Sequence, residues 1–220
     1  MYRFCVFDLD GTLVNTLADV TFAVNHTLEG MGLPVFTEDD YRLMIGDGVQ
    51  KLCERVLPPE VRQDPEKFNY LLREYSSYYK AHCCDRSLPY DEIPGVLQSL
   101  RESGIPTALL SNKPQPQTDV VLANCLAGHT FLYARGQSDR FPRKPDPGVF
   151  FDCLKTTGFS AEETIYVGDS NVDVRFAHAA GVRCIGAAWG FRGEKELRDA
   201  GADYIAQQPA DILSIISGRS

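Results

Sequence analysis

The chain has 220 residues, of which 44% are hydrophobic and 24% charged, a balance that leaves no room for a disordered or collagenous protein and suits one large domain or a core with an insertion. Its net charge of −8 argues against a nucleic-acid partner, because phosphate backbones are bound by clustered Lys and Arg, yet it does not exclude a small phosphate ester. The 7 cysteines are odd in number, scattered and free of Cys-x-x-Cys spacing, so they read as small buried hydrophobes in a reducing compartment, with neither zinc nor a disulfide framework indicated.

The first element is an apolar run over residues 4–7. It is too short for a membrane span and has no cleavable signal pattern behind it, so a cytoplasmic protein without a membrane partner is expected. The run reads as a strand covered on both faces that ends in Asp8 and Asp10, where the pleat aims residues i and i+2 the same way. Two like charges in one small space need a proton, a cation or a basic group beside them, which points to a metal or an acid/base pair; turn acids are the plainer alternative.

After Val14 the period becomes helical. Leu17, Val20, Val24 and Leu28 recur until Gly30-Met31-Gly32; a second helical stretch covers 37–57, interrupted at Gly46-Asp47-Gly48; a third covers 65–83 with an aromatic face. These helices without a strand predict an inserted subdomain, bounded near Asn15 and near Leu88-Pro89. From Ile93 onward helix and apolar strand alternate, which predicts a parallel sheet with crossover helices. Strands are expected over 105–110, 130–133, 164–167, 182–186 and 204–205, with helices between them and a terminal helix.

Ligands of such a sheet bind beyond the carboxyl ends of the strands. That rule gathers Asp8 and Asp10, then Ser111 and Asn112, then Lys144 before a helix, then Asp169 and Asp173. Asp169 and Asp173 stand four apart at a helix start, where they share a face and the helix dipole favours negative charge. Oxygen ligands without His or Cys suit a hard cation, magnesium being usual where phosphate completes the shell. Lys144-Pro145-Asp146-Pro147 holds the lysine at the head of a helix, as a positive charge for a nucleophile and phosphoryl oxygens, while Ser111 and Asn112 add hydroxyl and amide donors.

These residues resemble, in order and chemistry, the four motifs of the haloacid dehalogenase-like hydrolases: Asp8-Leu9-Asp10-Gly11-Thr12, Ser111-Asn112, Lys144-Pro145, and Gly168-Asp169-Ser170-Asn171-Val172-Asp173. The helical insertion and the tail through Trp189-Gly190-Phe191 look most like the phosphoglycolate phosphatase branch. The resemblance implies an α/β fold, a doubly wound parallel-sheet (Rossmann-like) core of residues 1–14 and 89–220, with an inserted α-helical cap over 15–88. It implies a Mg2+-dependent phosphatase acting on a small phosphorylated metabolite, as monomer or homodimer. Asp8 would be the nucleophile, Asp10 the acid and base, and Lys144 a third catalytic group that also binds phosphate with Ser111 and Asn112. The metal would lie among Asp8, Asp10, Asp169 and Asp173, the last beside the ion or orienting Lys144. A phosphosugar mutase close to β-phosphoglucomutase would share these motifs, and a non-catalytic binding protein could keep the fold. Substrate choice is expected from the insertion, above all from Gly46-Asp47-Gly48, whose glycines let the backbone approach a ligand and whose acid would reach over the leaving group.

Overall fold

All four residues of Phe4–Phe7 (β1) are fully buried, and the pleat sends Cys5 and Phe7 into one apolar cluster and Phe4 and Val6 into the other. A strand covered on both faces requires helices on each side of its sheet. The computed structural model, which describes residues 2–218, supplies them. From β1 the chain passes through β2 (Val14–Asn15) into α1 (Leu17–Gly30), α2 (Glu38–Arg42), α3 (Val49–Val56), α4 (Pro59–Arg62) and α5 (Pro65–His82), then returns through β3 (Leu88–Pro89). Helix α6 (Ile93–Glu102), β4 (Thr107–Pro114), α7 (Gln115–Cys125), β5 (Tyr133–Gln137), α8 (Gly148–Thr157) and β6 (Thr164–Gly168) follow. The remainder is α9 (Asn171–Ala179), β7 (Arg183–Ala187), α10 (Gly193–Asp199), β8 (Tyr204–Ala206) and α11 (Asp211–Ser217).

The strands form a six-stranded parallel sheet in the order β5-β4-β1-β6-β7-β8. Apolar residues of α6, α7 and α11 join the cluster of Cys5 and Phe7, and those of α8, α9 and α10 the cluster of Phe4 and Val6, so the sheet is doubly wound. Because the chain builds outward from β1 first through β4 and then through β6, the strand order reverses at β1. The crevice beyond its carboxyl end is therefore the place where such sheets bind ligands.

Between the first and second strands of that sheet lie α1 to α5. The chain leaves and re-enters through an antiparallel ribbon that pairs Val14 with Pro89 and Asn15 with Leu88. The buried carboxylate of Asp19 on α1 braces the return: it accepts from the Arg86 N–H, the Ser87 N–H at 2.8 Å and the Ser87 hydroxyl at 2.6 Å.

Helix α5 matches the aromatic periodicity of its sequence and the stretch 37–57 is interrupted at the expected glycines, whereas two strand expectations shift. The stretch 37–57 is two helices, separated by a loop in which Gly46 and Gly48 take φ of 114° and 88°, conformations that favour glycine. The strand expected over 105–110 continues to Pro114, carrying the polar Ser111, Asn112 and Lys113 in extended backbone because each has a buried partner. The strand expected over 130–133 lies at Tyr133–Gln137; as an edge strand of half-exposed residues it needs no apolar run.

Removing the Asp19 carboxylate strands the donors of Arg86 and Ser87 in a dry setting. Asp19→Ala should lower unfolding stability by about 2–3 kcal/mol, the scale of bonds to a buried charge, as read from urea midpoints; a change below about 0.5 kcal/mol would show that the return is held by other contacts.

Candidate active site

Asp8 continues the β1 ladder by one residue, donating its N–H to Val167 O at 2.9 Å, so its side chain stands at the crevice floor. Asp169 follows β6 and Asp173 lies in the first turn of α9, where Ser170 and Asp173 form a reciprocal cap. Oxygens of Asp8, Asp169 and Asp173 lie within 4.8 Å of one another, and all three residues are buried.

Close approach of these acids depends on missing side chains. A Cβ on Gly11, which takes φ of 83°, or on Gly190 would overlap the Asp169 side chain, and one on Gly168 would overlap Asp173. With Gly190 in place, the Phe191 N–H reaches Asp169 Oδ2 at 2.7 Å.

Lys144 provides the opposing charge. Its ammonium donates to Asp173 Oδ1 at 2.8 Å and to the Tyr166 hydroxyl at 3.0 Å. It lies 2.8 Å from Asp8 Oδ1 as an ion pair, but out of line for a hydrogen bond, so that buried oxygen has no aligned donor. The residues at 144 and 145 are joined by a cis peptide bond. Burial opposes the charge on Lys144, but Asp173 and Asp8 outweigh it, and the ammonium holds its proton more tightly than a free lysine. One ammonium does not neutralise three acids. Burial, opposed by Lys144 and reinforced by Asp173, pushes the Asp8 carboxyl up to about 7. Burial and then Asp173 and Asp8 push Asp169 well above the usual carboxylate range.

The other sequence-selected groups are more dispersed than their motifs suggested. The Asp10 carboxylate does not join the cluster: its Oδ1 accepts from Thr16 at 2.7 Å and from Lys113 at 2.8 Å. Among the described residues the Asp173 carboxylate accepts from Lys144, Tyr166 and Ser170. Asn112 lines the cavity, and its side chain also ties two backbones together: its Oδ1 accepts from the Lys144 N–H at 2.9 Å, and its Nδ2 donates to Lys144 O and Gly46 O at 3.3 and 3.1 Å. Ser111 lines the cavity with Asp8, Asp10 and Lys113. Asp47 is paired with Arg55 and does not line it, while Gly46 and Gly48 do.

Three contributors escaped the sequence reading. Lys113, one residue beyond Ser111-Asn112, is buried on Asp10; a lysine closing an apolar strand was the available signal. Tyr166 bridges Lys144 and Asp173 from within β6, and its polar end is hidden in an otherwise apolar pattern. Thr16 stands at the N-cap position of α1, but its hydroxyl goes to Asp10 instead of to the helix.

The cavity above Asp8 measures about 50 Å³ and is walled by Val20, Ile45, Val49, Leu52 and Tyr75 from the helical insertion. Two of its lining residues in the insertion are hydrogen-bonded to the core, Gly46 O by Asn112 and Ile45 O by Arg192, the latter at 2.8 Å.

A doubly wound sheet with an aspartate at the end of its central strand, opposed by a buried lysine and two further acids, defines a class of α/β hydrolases. The family model of the haloacid dehalogenase-like hydrolases matches residues 5–187, and the chain belongs to that family. It is 31% identical to the phosphoglycolate phosphatase of Haemophilus influenzae over 98% of both chains, and 31% identical to that of Yersinia pestis over 97% of this chain and 93% of the relative. The crystal structure of a predicted phosphoglycolate phosphatase from Haemophilus somnus superposes with a TM-score of 0.90 at 29% identity over 97% of each chain. The protein is thus an enzyme of the phosphoric monoester hydrolase class, in the branch similar to phosphoglycolate phosphatases.

The raised carboxyls have a consequence for stability. Asp8 keeps its proton in the folded state up to about 7, whereas an unfolded aspartate loses it near 4, so the folded chain binds more protons across that window and its stability falls as pH rises through it. In the presence of chelator, urea midpoints should fall from about pH 5 to about pH 7, and Asp8→Asn should flatten the slope. An unchanged slope in Asp8→Asn would place the pH sensitivity elsewhere.

Proposed function

We propose that the enzyme hydrolyses a small phosphomonoester, phosphoglycolate or a close analogue, by a magnesium-dependent route through an aspartyl phosphate on Asp8. The observation that carries this reading is the Asp8 carboxylate: it lines the cavity, and its buried Oδ1 lies 2.8 Å from the Lys144 ammonium. A carboxylate so placed is a nucleophile in waiting. In the first step it attacks phosphorus, the bond from phosphorus to the substrate oxygen breaks, and Asp10 gives its proton to the departing oxygen. In the second, Asp10 takes a proton from water, the water oxygen attacks phosphorus, and the bond to Asp8 breaks to release inorganic phosphate. Lys144 and the Ser111 hydroxyl hold the phosphoryl oxygens through both steps.

The residues fit a hard divalent cation. The donor set is oxygen alone, and among the described residues Asp8 Oδ1 has no aligned donor and Asp169 Oδ1 accepts only a hydrogen bond of 3.5 Å from Thr12. Asp8, Asp169 and the backbone carbonyl of Asp10 would hold the ion, with Asp173 keeping Lys144 in place. When bound, magnesium supplies positive charge that lets an anionic nucleophile meet an anionic phosphoryl group.

Residues 15–88 act in this reading as a cap. Their mostly apolar side chains and the glycine loop roof a small cavity of about 50 Å³, and hydrogen bonds from Asn112 to Gly46 O and from Arg192 to Ile45 O join that roof to the core. Such a roof excludes water and strengthens the electrostatics beneath it. The small size accords with phosphoglycolate, the substrate named for the relatives. Pairing of Asp47 with Arg55 also keeps the one acid of this loop away from an anionic substrate. Seven unpaired cysteines accord with a cytoplasmic setting.

With phosphoglycolate as substrate, Asp8→Asn should lower kcat by about 10^4 or more while the protein stays folded. Chelator should silence the native enzyme and magnesium restore it. Full activity in excess chelator, or restoration by zinc but not magnesium, would reject the metal assignment; phosphoglycolate turned over no faster than bulky sugar phosphates would reject the substrate class.

The Asp47 pairing makes a separate prediction. Asp47→Ala should leave relative kcat/KM across small phosphomonoesters unchanged and cost less than about 1 kcal/mol of stability, as partly exposed ion pairs do. A redistributed profile would show that Asp47 leaves Arg55 to meet the substrate.

A further inference from the structure

Lys113 has no part in the chemistry above, yet it is among the most constrained side chains of the molecule. Only 4% of its side chain is exposed. Its ammonium donates to both oxygens of Asp10, at 2.8 and 3.0 Å, and to the Tyr79 hydroxyl at 2.8 Å. It also lies 4.7 Å from the centre of the Tyr79 ring. Tyr79 is fully buried on α5 of the insertion and stacks on Tyr75, a wall of the cavity, with ring centres 5.5 Å apart.

Thr16, at the start of α1, donates to Asp10 from the other end of the insertion. The Asp10 carboxylate is therefore fixed from three sides: by a core lysine, by a hydroxyl where the chain enters the insertion, and through the lysine by a tyrosine near where the chain leaves it. A carboxylate with two free oxygens at a loop turn would otherwise sample several rotamers. Moving a reacting group by about 1 Å costs about 10^2 in rate. Burying a lysine is costly unless it is paired and hydrogen-bonded, and every contact of this ammonium serves Asp10 or links Asp10 to the insertion.

We propose that Lys113 is the positioning residue for Asp10, holding its carboxylate toward the leaving-group side of the cavity and, through Tyr79, making that orientation depend on the seating of α5 against the core. The sheet thus sets the nucleophile alone, while the acid–base group is aligned only with the insertion in place. This inference rests on the reading of Asp10 as the acid and base.

A double-mutant cycle on phosphoglycolate hydrolysis tests it. Lys113→Met should lower kcat by about 10- to 100-fold with KM changed less than about 3-fold, and Lys113→Arg should recover part of the loss. Tyr79→Phe, which keeps the packing and removes only the hydroxyl, should lower kcat by a few-fold, about 2- to 5-fold. In an Asp10→Asn background neither substitution should lower kcat further, because the group they position is gone. Losses that persist undiminished in that background would overturn the proposal and place Lys113 on the substrate or in the fold. If Lys113→Met does not fold, the Tyr79→Phe cycle decides by the same criterion. An Asp10→Asn enzyme with native kcat would overturn the acid–base reading itself, and Lys113 as its positioning residue with it.

Discussion

Three buried carboxylates facing one ammonium are the constraint on which this molecule is built. Asp8, Asp169 and Asp173 converge at the carboxyl end of β1, and Lys144 contacts only two of them. Such a cluster is stable only if every acceptor that is not needed free is otherwise satisfied. Asp173 meets that condition fully through Tyr166 and Ser170, and Asp169 in part through Phe191. Asp8 does not, and its deficit is what the proposed chemistry draws on. Gly11, Gly168 and Gly190 are required because any side chain there would push the acids apart.

Asp10 shows how the strand's end resolves the repulsion that its sequence implies. If the pleat continued, Asp8 and Asp10 would point the same way at short range. It does not continue: the Thr12 and Leu13 N–H groups turn back to Leu9 O, and Asp10 swings to Lys113 and Thr16. Each acid of the pair thereby acquires its own lysine. Asp8 is left oriented by the sheet alone, while Asp10 is tied to the segment that roofs the site.

What was legible in the sequence follows from the range of the forces involved. The periodicity of α5, the buried β1 and the polar residues beyond β4 and β6 are local signals, and the parallel-sheet rule was enough to gather Asp8, Ser111, Lys144 and Asp169 around one crevice. The partners of those residues were not legible, because they are set by tertiary contacts between distant positions. Lys113 and Asp10 are 103 residues apart, and Asp19 and Ser87 are 68 apart. Asn112 and Asp47 illustrate the same limit from the other side. Their residue types suit the roles expected of them, but nothing local tells that Asn112 also ties the Lys144 backbone to Gly46 or that Asp47 pairs with Arg55.

The cavity divides its work between its two sources of wall. Charge comes from the core, in Asp8, Asp10 and Lys113 beside Ser111; the insertion adds Val20, Ile45, Val49, Leu52 and Tyr75 and the bare backbone of Gly46 and Gly48. Apart from the Tyr75 hydroxyl, these side chains have no hydrogen bond to give a leaving group. The aliphatic ones shape the space and exclude water, and in doing so they strengthen each charge below. In the proposed reading selectivity acts by size, because a leaving group too long for the cavity must part Gly46 and Ile45 from the core, to which Asn112 and Arg192 bond them. The closure proposed to admit a short ester is then the one proposed to align Asp10, so a substrate that does not fit would be both poorly bound and poorly turned over.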